Sequence, residues 1–356
     1  MPKRLLTAAL TIVLCGLTSI PAQAVTGTGT SAWNLNPVPL DTTFRGGQYV
    51  LQDPQSPGIY CQDGTTRTTF SSPDNTWGNG DPGDRETACV DAFYAAQTFR
   101  RMTVDWLGRN GASGNGREWY LTVGGNETPG QPGRVVIPRT REGAWGGTLD
   151  VIGHEYAHLV DTNTPGGLSG GGTSEFIADA FGTAAEWYAN QPEPGDTPDF
   201  LIGERANRPD SGAVRNMYHP SLTGGLDCYN STVPTQEIHR AAGPGDHWFT
   251  LLAQGSNPTT GPASPTCDGS TITGIGVRNA IRVLYVAMLT KNQSFSYPKY
   301  RVATLAAARN LTPGDCATYN TVKAAWNAVS VPAQTGESSC LTPPVRKFTP
   351  RSPAND

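Results

Sequence analysis

The sequence is poor in charge, in histidine and in long apolar runs, and each shortage narrows what the chain can do. Only 16% of its 356 residues are charged, and 26 Lys and Arg stand against 30 Asp and Glu. With no basic excess from which to build a phosphate-binding surface, nucleic acid is not an expected partner. Beyond residue 20 there is no run of about 18 apolar residues, so no membrane span is expected. No two cysteines are spaced Cys-x-x-Cys, which disfavours a thiolate metal site. Internal repeats are absent. Glycine and proline are abundant instead, at 42 and 29 residues, as in a loop-rich globular protein. About 320 ordered residues suffice for two lobes.

Lys3 and Arg4 precede an apolar run over residues 5–20, and Ala22-Gln-Ala24 supplies the small residues of a cleavage site. Residues 1–24 are therefore expected to be a secretory signal and the product to be extracellular. Leu14 stands where a lipoprotein signal needs a small residue, so lipid attachment at Cys15 is not expected. Losing Lys3 and Arg4 takes the basic count from 26 to 24 against 30 acids, a net charge near −6. Losing Cys15 leaves Cys61, Cys89, Cys228, Cys267, Cys316 and Cys340 for an oxidising compartment. Six cysteines allow 15 connectivities. Loop closure favours sequence neighbours, so the expected pairs are 61 with 89, 228 with 267, and 316 with 340.

Residues 25–147 read as short strands and turns, interrupted by one long helix over 84–107. There Val90, Phe93, Phe99, Met102 and Trp106 recur at three- or four-residue steps or their multiples, and Gly108 stops the pattern. After Thr148 the periodicity is mainly helical, including 278–289 and 300–308. The expected divisions are the signal at 1–24, a β-rich N-terminal lobe at 25–163 ending in a metal-binding helix, a helical C-terminal lobe at 164–340, and a flexible tail at 341–356.

Among only five histidines, two fall four residues apart with an acid beside the first, in His154-Glu155-Tyr-Ala-His158. Chance would produce His-Glu-x-x-His on the order of a few times per thousand such chains. On a helix, positions i and i+4 share a face, so both imidazoles can reach one ion. Glu155, rotated by one residue, can reach a water bound to that ion. The pattern implies metal-assisted hydrolysis. Catalytic zinc takes three protein ligands and keeps a fourth position open, so one ligand must come from elsewhere. Downstream, Gly172-Thr-Ser-Glu-Phe-Ile-Ala-Asp179 offers Ser174 as a helix cap and Glu175 and Asp179 four apart. One carboxylate can bind metal. Asp179 can accept the other ring N–H of a ligating histidine and fix its tautomer.

These segments, together with Thr43-Phe-Arg-Gly-Gly-Gln-Tyr-Val50, Asp74-Asn-Thr-Trp-Gly-Asn-Gly80, Ala88-Cys-Val-Asp-Ala-Phe-Tyr-Ala95 and the stretch from Gly261 to Thr273-Gly-Ile-Gly276, resemble the thermolysin family of secreted zinc metallopeptidases over residues 43–331. The resemblance implies an α+β, thermolysin-like fold, with a β-rich N-terminal lobe, a mainly α-helical C-terminal lobe, and the zinc helix and cleft between them. It implies His154, His158 and Glu175 as zinc ligands, Glu155 as general base and Asp179 as the carboxylate behind the ligands. His239 falls at the family's oxyanion-stabilising histidine, Arg215 at the arginine that holds a substrate carbonyl, and Asn126 at the asparagine that fixes the substrate backbone. Val151, Ile202 and Val214 match pocket positions, implying cleavage before a bulky apolar residue. Asp150, Glu186, Asp199 and Glu204 match calcium-binding positions, and Leu201 replaces a further acid there. Four converging carboxylates would repel one another without a cation.

The departures also matter. Only 16 residues separate His158 from Glu175, fewer than usual, and that stretch lacks the family's tyrosine. One oxyanion donor is therefore expected to be missing, a loss of about 10²–10³ in rate for a single donor. Ser174 replaces an asparagine. Pro234 replaces the acid five residues before the catalytic histidine, leaving Glu237 to compensate. Within the same turn Gly167-Leu-Ser-Gly-Gly171 satisfies the Gly-x-Ser-x-Gly nucleophile elbow, although the flanking strand and helix that an elbow needs are not evident. Serine esterase or hydrolase chemistry through Ser169 is a second reading, and a non-catalytic zinc-binding module a third. The leading expectation is a secreted, monomeric zinc endopeptidase with calcium, acting on proteins or peptides, with no nucleic-acid or membrane partner.

Overall fold

A computed structural model of the chain describes residues 23–126, 132–140, 142–206 and 212–340. Most of the expected signal and the tail at 341–356 lie outside the described residues, and the last two signal residues, Gln23 and Ala24, open the first strand. Strands β1 (Gln23–Gly29), β2 (Val38–Arg45), β3 (Gln48–Val50), β4 (Cys61–Asp63), β5 (Thr68–Thr69), β6 (Ser71–Ser72) and β7 (Thr76–Trp77) precede helix α1 (Arg85–Leu107). β8 (Tyr120–Val123) and β9 (Arg134–Val136) follow it. One sheet runs β6-β3-β2-β1-β7 and the other β5-β4-β8-β9, the latter parallel across β4-β8-β9. The β2–β3 hairpin pairs Arg45 with Gln48 around Gly46-Gly47, both at positive φ, the backbone that a two-residue turn of this hand demands.

α1 buries Val90, Phe93, Phe99 and Met102, and Phe99 packs on Tyr156 and Phe181 of the C-terminal helices. Asp84 caps its start by accepting from the Thr87 N–H at 2.8 Å, and Gly108, left-handed, ends it. Cys61–Cys89 joins β4 to α1, and the other bridges are Cys228–Cys267 and Cys316–Cys340, the three neighbour pairs expected from loop closure.

The C-terminal part is mainly helical: α2 (Leu149–Thr162), α3 (Thr173–Ala189), the β10 (Leu201–Ile202) and β11 (Arg215–Asn216) pair, then α4 (Ile238–Ala253), α5 (Val277–Met288), α6 (Tyr297–Leu311) and α7 (Cys316–Ala328). Ser174 does not cap α3. The cap falls two residues earlier, at left-handed Gly172, where a β-carbon would strike the backbone of Ala241 in α4. No helix among the described residues is long and apolar enough to cross a membrane.

Candidate metal centre and cleft

α2 and α3 approach closely where Gly153 meets Gly182. A β-carbon on Gly153 would lie 2.9 Å from the Gly182 Cα, and one on Gly182 would strike the Asp150 carbonyl. This approach sets Glu175 and Asp179, one turn apart on α3, against the face of α2 that carries His154 and His158. α4 packs on α3 just as closely, since a side chain at Gly245 would overlap the Phe176 ring. His239, in the first turn of α4, thereby comes to lie over Glu175.

His154 Nε2 and His158 Nε2 are 3.1 Å apart, and Glu175 Oε2 lies 3.4 Å from the first and 3.7 Å from the second. A tetrahedral zinc with bonds of about 2.0–2.1 Å requires donor separations of about 3.3–3.4 Å. The triangle fits that ion. Glu175 Oε2 is buried with no hydrogen-bond partner, an orphaned acceptor that a metal would satisfy.

His154 Nδ1 donates to Asp179 Oδ1 at 2.7 Å, which leaves Nε2 facing the triangle. Arg215 grips the same carboxylate through Nε and Nη2 at 2.5 and 2.6 Å. Burial opposes charge on His154, yet the Asp179 and Glu175 carboxylates outweigh it and hold the imidazole up at about 10. Burial and the charge on His154 push His158 down to about 4. Burial would raise Glu175, but the adjacent His154 imidazole and the nearby histidine charges hold it at about 2. The protein thus carries its own countercharges here.

His239 is half-exposed. Its Nε2 stands 3.5 Å from Glu175 Oε2 and its Nδ1 is 2.7 Å from Glu237 Oε1. Glu237 is thus the acid that stands beside His239. A cavity of about 270 Å³ holds Glu155 and His154 together with Val151, Ile202, Val214 and Arg215, so the three apolar pocket residues expected from the sequence share one wall system with the acid. Asn126 sits exposed in the turn after β8 and is not among the residues lining this cavity.

Ser169 is no nucleophile. It is 4% exposed, its N–H donates to Asp161 Oδ2 at 2.7 Å, and its hydroxyl is 3.0 Å from Asp161 Oδ1 and 2.6 Å from the Tyr300 hydroxyl. Lys291, the remaining neighbour, is ion-paired with Asp161 and donates to the Gly167 carbonyl at 2.6 Å. A buried hydroxyl flanked by a paired lysine has neither access to substrate nor a free base, so the serine hydrolase reading is overturned. The network instead fastens the glycine turn to α2.

At the far end of α3 a second cluster gathers Glu186, Asp196 and Glu204. Asp150 and Asp199 lie within electrostatic reach but already accept hydrogen bonds: Asp150 from Gly203 N and the Thr148 hydroxyl, and Asp199 from Leu201 N at 2.6 Å. Asp196 is absent from the calcium positions that the sequence suggests. Its only sequence signal is an acid three residues before Asp199 in a Pro- and Gly-rich loop. Both oxygens of Glu186 and of Asp196 are buried without hydrogen-bond partners. Burial and mutual repulsion push Glu186 and Asp196 well above the carboxylate range, Glu204 up to about 10 and Asp199 up to about 6. Buried, unsatisfied carboxylate oxygens suit a hard cation such as calcium.

Two imidazoles and one carboxylate at tetrahedral spacing, in a cleft beside a free glutamate, define the two-histidine, one-glutamate class of zinc site. Comparison with known sequences agrees. The family model described as thermolysin metallopeptidase, catalytic domain, matches residues 26–132, and that described as thermolysin metallopeptidase, alpha-helical domain, matches residues 165–331. The chain belongs to the thermolysin family of metallopeptidases. It is 34% identical over 339 residues to the transglutaminase-activating metalloprotease of Streptomyces mobaraensis, covering 89% of this chain and 44% of that protein. It is 30% identical over 330 residues to a bacillolysin of Bacillus caldolyticus, covering 82% of this chain and 55% of that protein. The chain thus spans about half the length of these curated relatives. The fold is similar to that of the precursor of protealysin, a metalloproteinase from Serratia proteamaculans, with a TM-score of 0.57 at 18% identity over 77% of this chain and 87% of that one.

Proposed function

We propose that the chain is an exported zinc endopeptidase that hydrolyses proteins or peptides before bulky apolar residues. The observation that carries the reading is the donor triangle of His154, His158 and Glu175, with Glu175 Oε2 unpartnered, beside a cavity lined by Glu155. When bound there, zinc supplies Lewis acidity that polarises a carbonyl and lowers the pKa of water. Glu155 takes the proton from the attacking water and passes it to the leaving amine. His239, its ring turned by Glu237, donates from Nε2 toward the oxygen that gains charge. Arg215 acts twice, clamping Asp179, and hence His154, while facing the cavity where a substrate carbonyl would lie. Val151, Ile202 and Val214 receive the apolar side chain. Calcium occupies the acidic cluster, with Glu186, Asp196 and Glu204 nearest and Asp150 and Asp199 alongside.

Casein hydrolysis by the purified protein tests this reading. Activity should vanish with a chelator and return on adding zinc. A folded, zinc-loaded protein that hydrolyses no peptide bond would instead favour a non-catalytic zinc-binding module.

A further inference from the structure

Beyond the wall formed by Val214, Arg215 and His239 lies another cavity, of about 300 Å³. Its lining is mixed: Val214, Pro220 and three glycines form an apolar strip beside Asn216, Thr223 and charged side chains of both signs. Asp246 of α4 also lines it, only 2% exposed, and its Oδ1 has no hydrogen-bond partner. A buried acceptor left without a donor is costly, and native structures rarely keep one idle. The nearby cations make their hydrogen bonds elsewhere, although the Arg215 charge also acts on Asp246: Arg215 commits Nε and Nη2 to Asp179, and His239 turns Nδ1 to Glu237. Glu237 and Arg240 are exposed, which puts them at the mouth.

We infer that this cavity is a substrate subsite for a lysine or arginine side chain, whose methylene stem lies on Val214 and Pro220 and whose cationic tip reaches Asp246 Oδ1. The inference rests on the peptidase reading above. A long basic side chain matches both features, because its stem is apolar and its tip makes a charge-assisted bond to a carboxylate. The cavity shares Val214, Arg215 and His239 with the one that holds Glu155, so the basic residue sits close in sequence to the apolar residue at the scissile bond.

The test uses zinc-replete protein and peptides with one fixed apolar residue, scanning lysine, ε-acetyl-lysine and norleucine through the flanking positions. At one position, kcat/KM for lysine should exceed that for both neutral analogues by at least about tenfold, the value of one such bond. Asp246→Asn should bring the lysine-to-norleucine ratio close to one. Cleavage with no lysine preference at any position overturns the subsite and leaves the peptidase reading standing, with Asp246 serving only to balance Arg215. A lysine preference that survives Asp246→Asn overturns the role given to Asp246. Should that variant not fold, the acetyl-lysine comparison on the unmutated protein decides, since it removes the charge and keeps the stem. No cleavage of any peptide overturns the peptidase reading itself.

Discussion

Helix α3 carries a buried charge cluster at each end, and the two are built on opposite principles. At its start, Glu175 and Asp179 meet His154, His158 and Arg215, and nearly every charge has an opposite within 4 Å. At its end, Glu186 meets Asp196 and Glu204, and the one nearby cation among the described residues, Arg205, lies 3.8 Å from Asp196. The first cluster sets opposite charges side by side, with Asp179 and Glu175 against His154 and Arg215 against Asp179. The second cannot ionise without severe repulsion. The same helix thus carries one cluster whose metal would serve chemistry and one whose cation would serve stability.

The largest expected effects fall on activity at the first cluster. Glu175→Ala should lose stoichiometric zinc, measured by elemental analysis, and with it all hydrolysis, because one of three ligands is gone. Glu155→Gln should keep about one zinc per chain yet lose at least about 10³-fold in kcat, within the range of general acid–base catalysis. Near wild-type turnover in that variant would remove Glu155 from the proton path. Next in size is His239→Ala, which should lower kcat by at least about 10²-fold with KM changed much less, since a donor aimed at transition-state charge acts on kcat. With no tyrosine in the loop before α3, His239 should carry more of that burden. A change confined to KM would make it a substrate-binding residue only.

The second cluster should respond in stability instead. At 100 times its Kd, a bound cation adds about 2.7 kcal/mol, which for a large domain is several degrees in Tm. Selective removal of calcium should therefore lower Tm measurably, whereas removal of zinc alone should stop hydrolysis with a smaller change in Tm. The double substitution Glu186→Gln with Asp196→Asn should abolish the calcium dependence of Tm, because amides do not repel. Equal Tm changes on removing either ion would erase the contrast between the two ends of α3.

Much of the zinc end is legible in the sequence because its chemistry is local: His154, Glu155 and His158 lie within one turn, and Glu175 and Asp179 within another. The three disulfides are legible for a similar reason, since loop closure favours neighbours. What joins the two turns is not. Gly153 and Gly182 read as helix-weakening residues in sequence and serve in space as the contact that lets two helices close on an ion. Asp196 and Asp246 escape because an isolated acid in a loop or a helix gives no periodic signal, and only packing reveals that neither has a hydrogen-bond partner at Oδ1. Local capping preference points to Ser174 for the start of α3, but tertiary crowding at Ala241 selects Gly172.

The smallest effect on activity is expected at Ser169, and it bears on how the short turn between α2 and α3 keeps both clusters aligned. Ser169→Ala should leave kcat and KM close to wild type, because the hydroxyl reaches only Asp161, Tyr300 and Lys291 and never the cleft. Stability should fall by about 1–3 kcal/mol, the cost of leaving buried groups without a partner, readable in chemical denaturation. Lys291→Met should cost more, since it strands the Asp161 carboxylate in the interior. A serine-directed covalent inhibitor should have no effect on either protein. Loss of turnover in Ser169→Ala at unchanged stability would mean that the glycine turn acts on the reaction itself and not only on the distance between its helices.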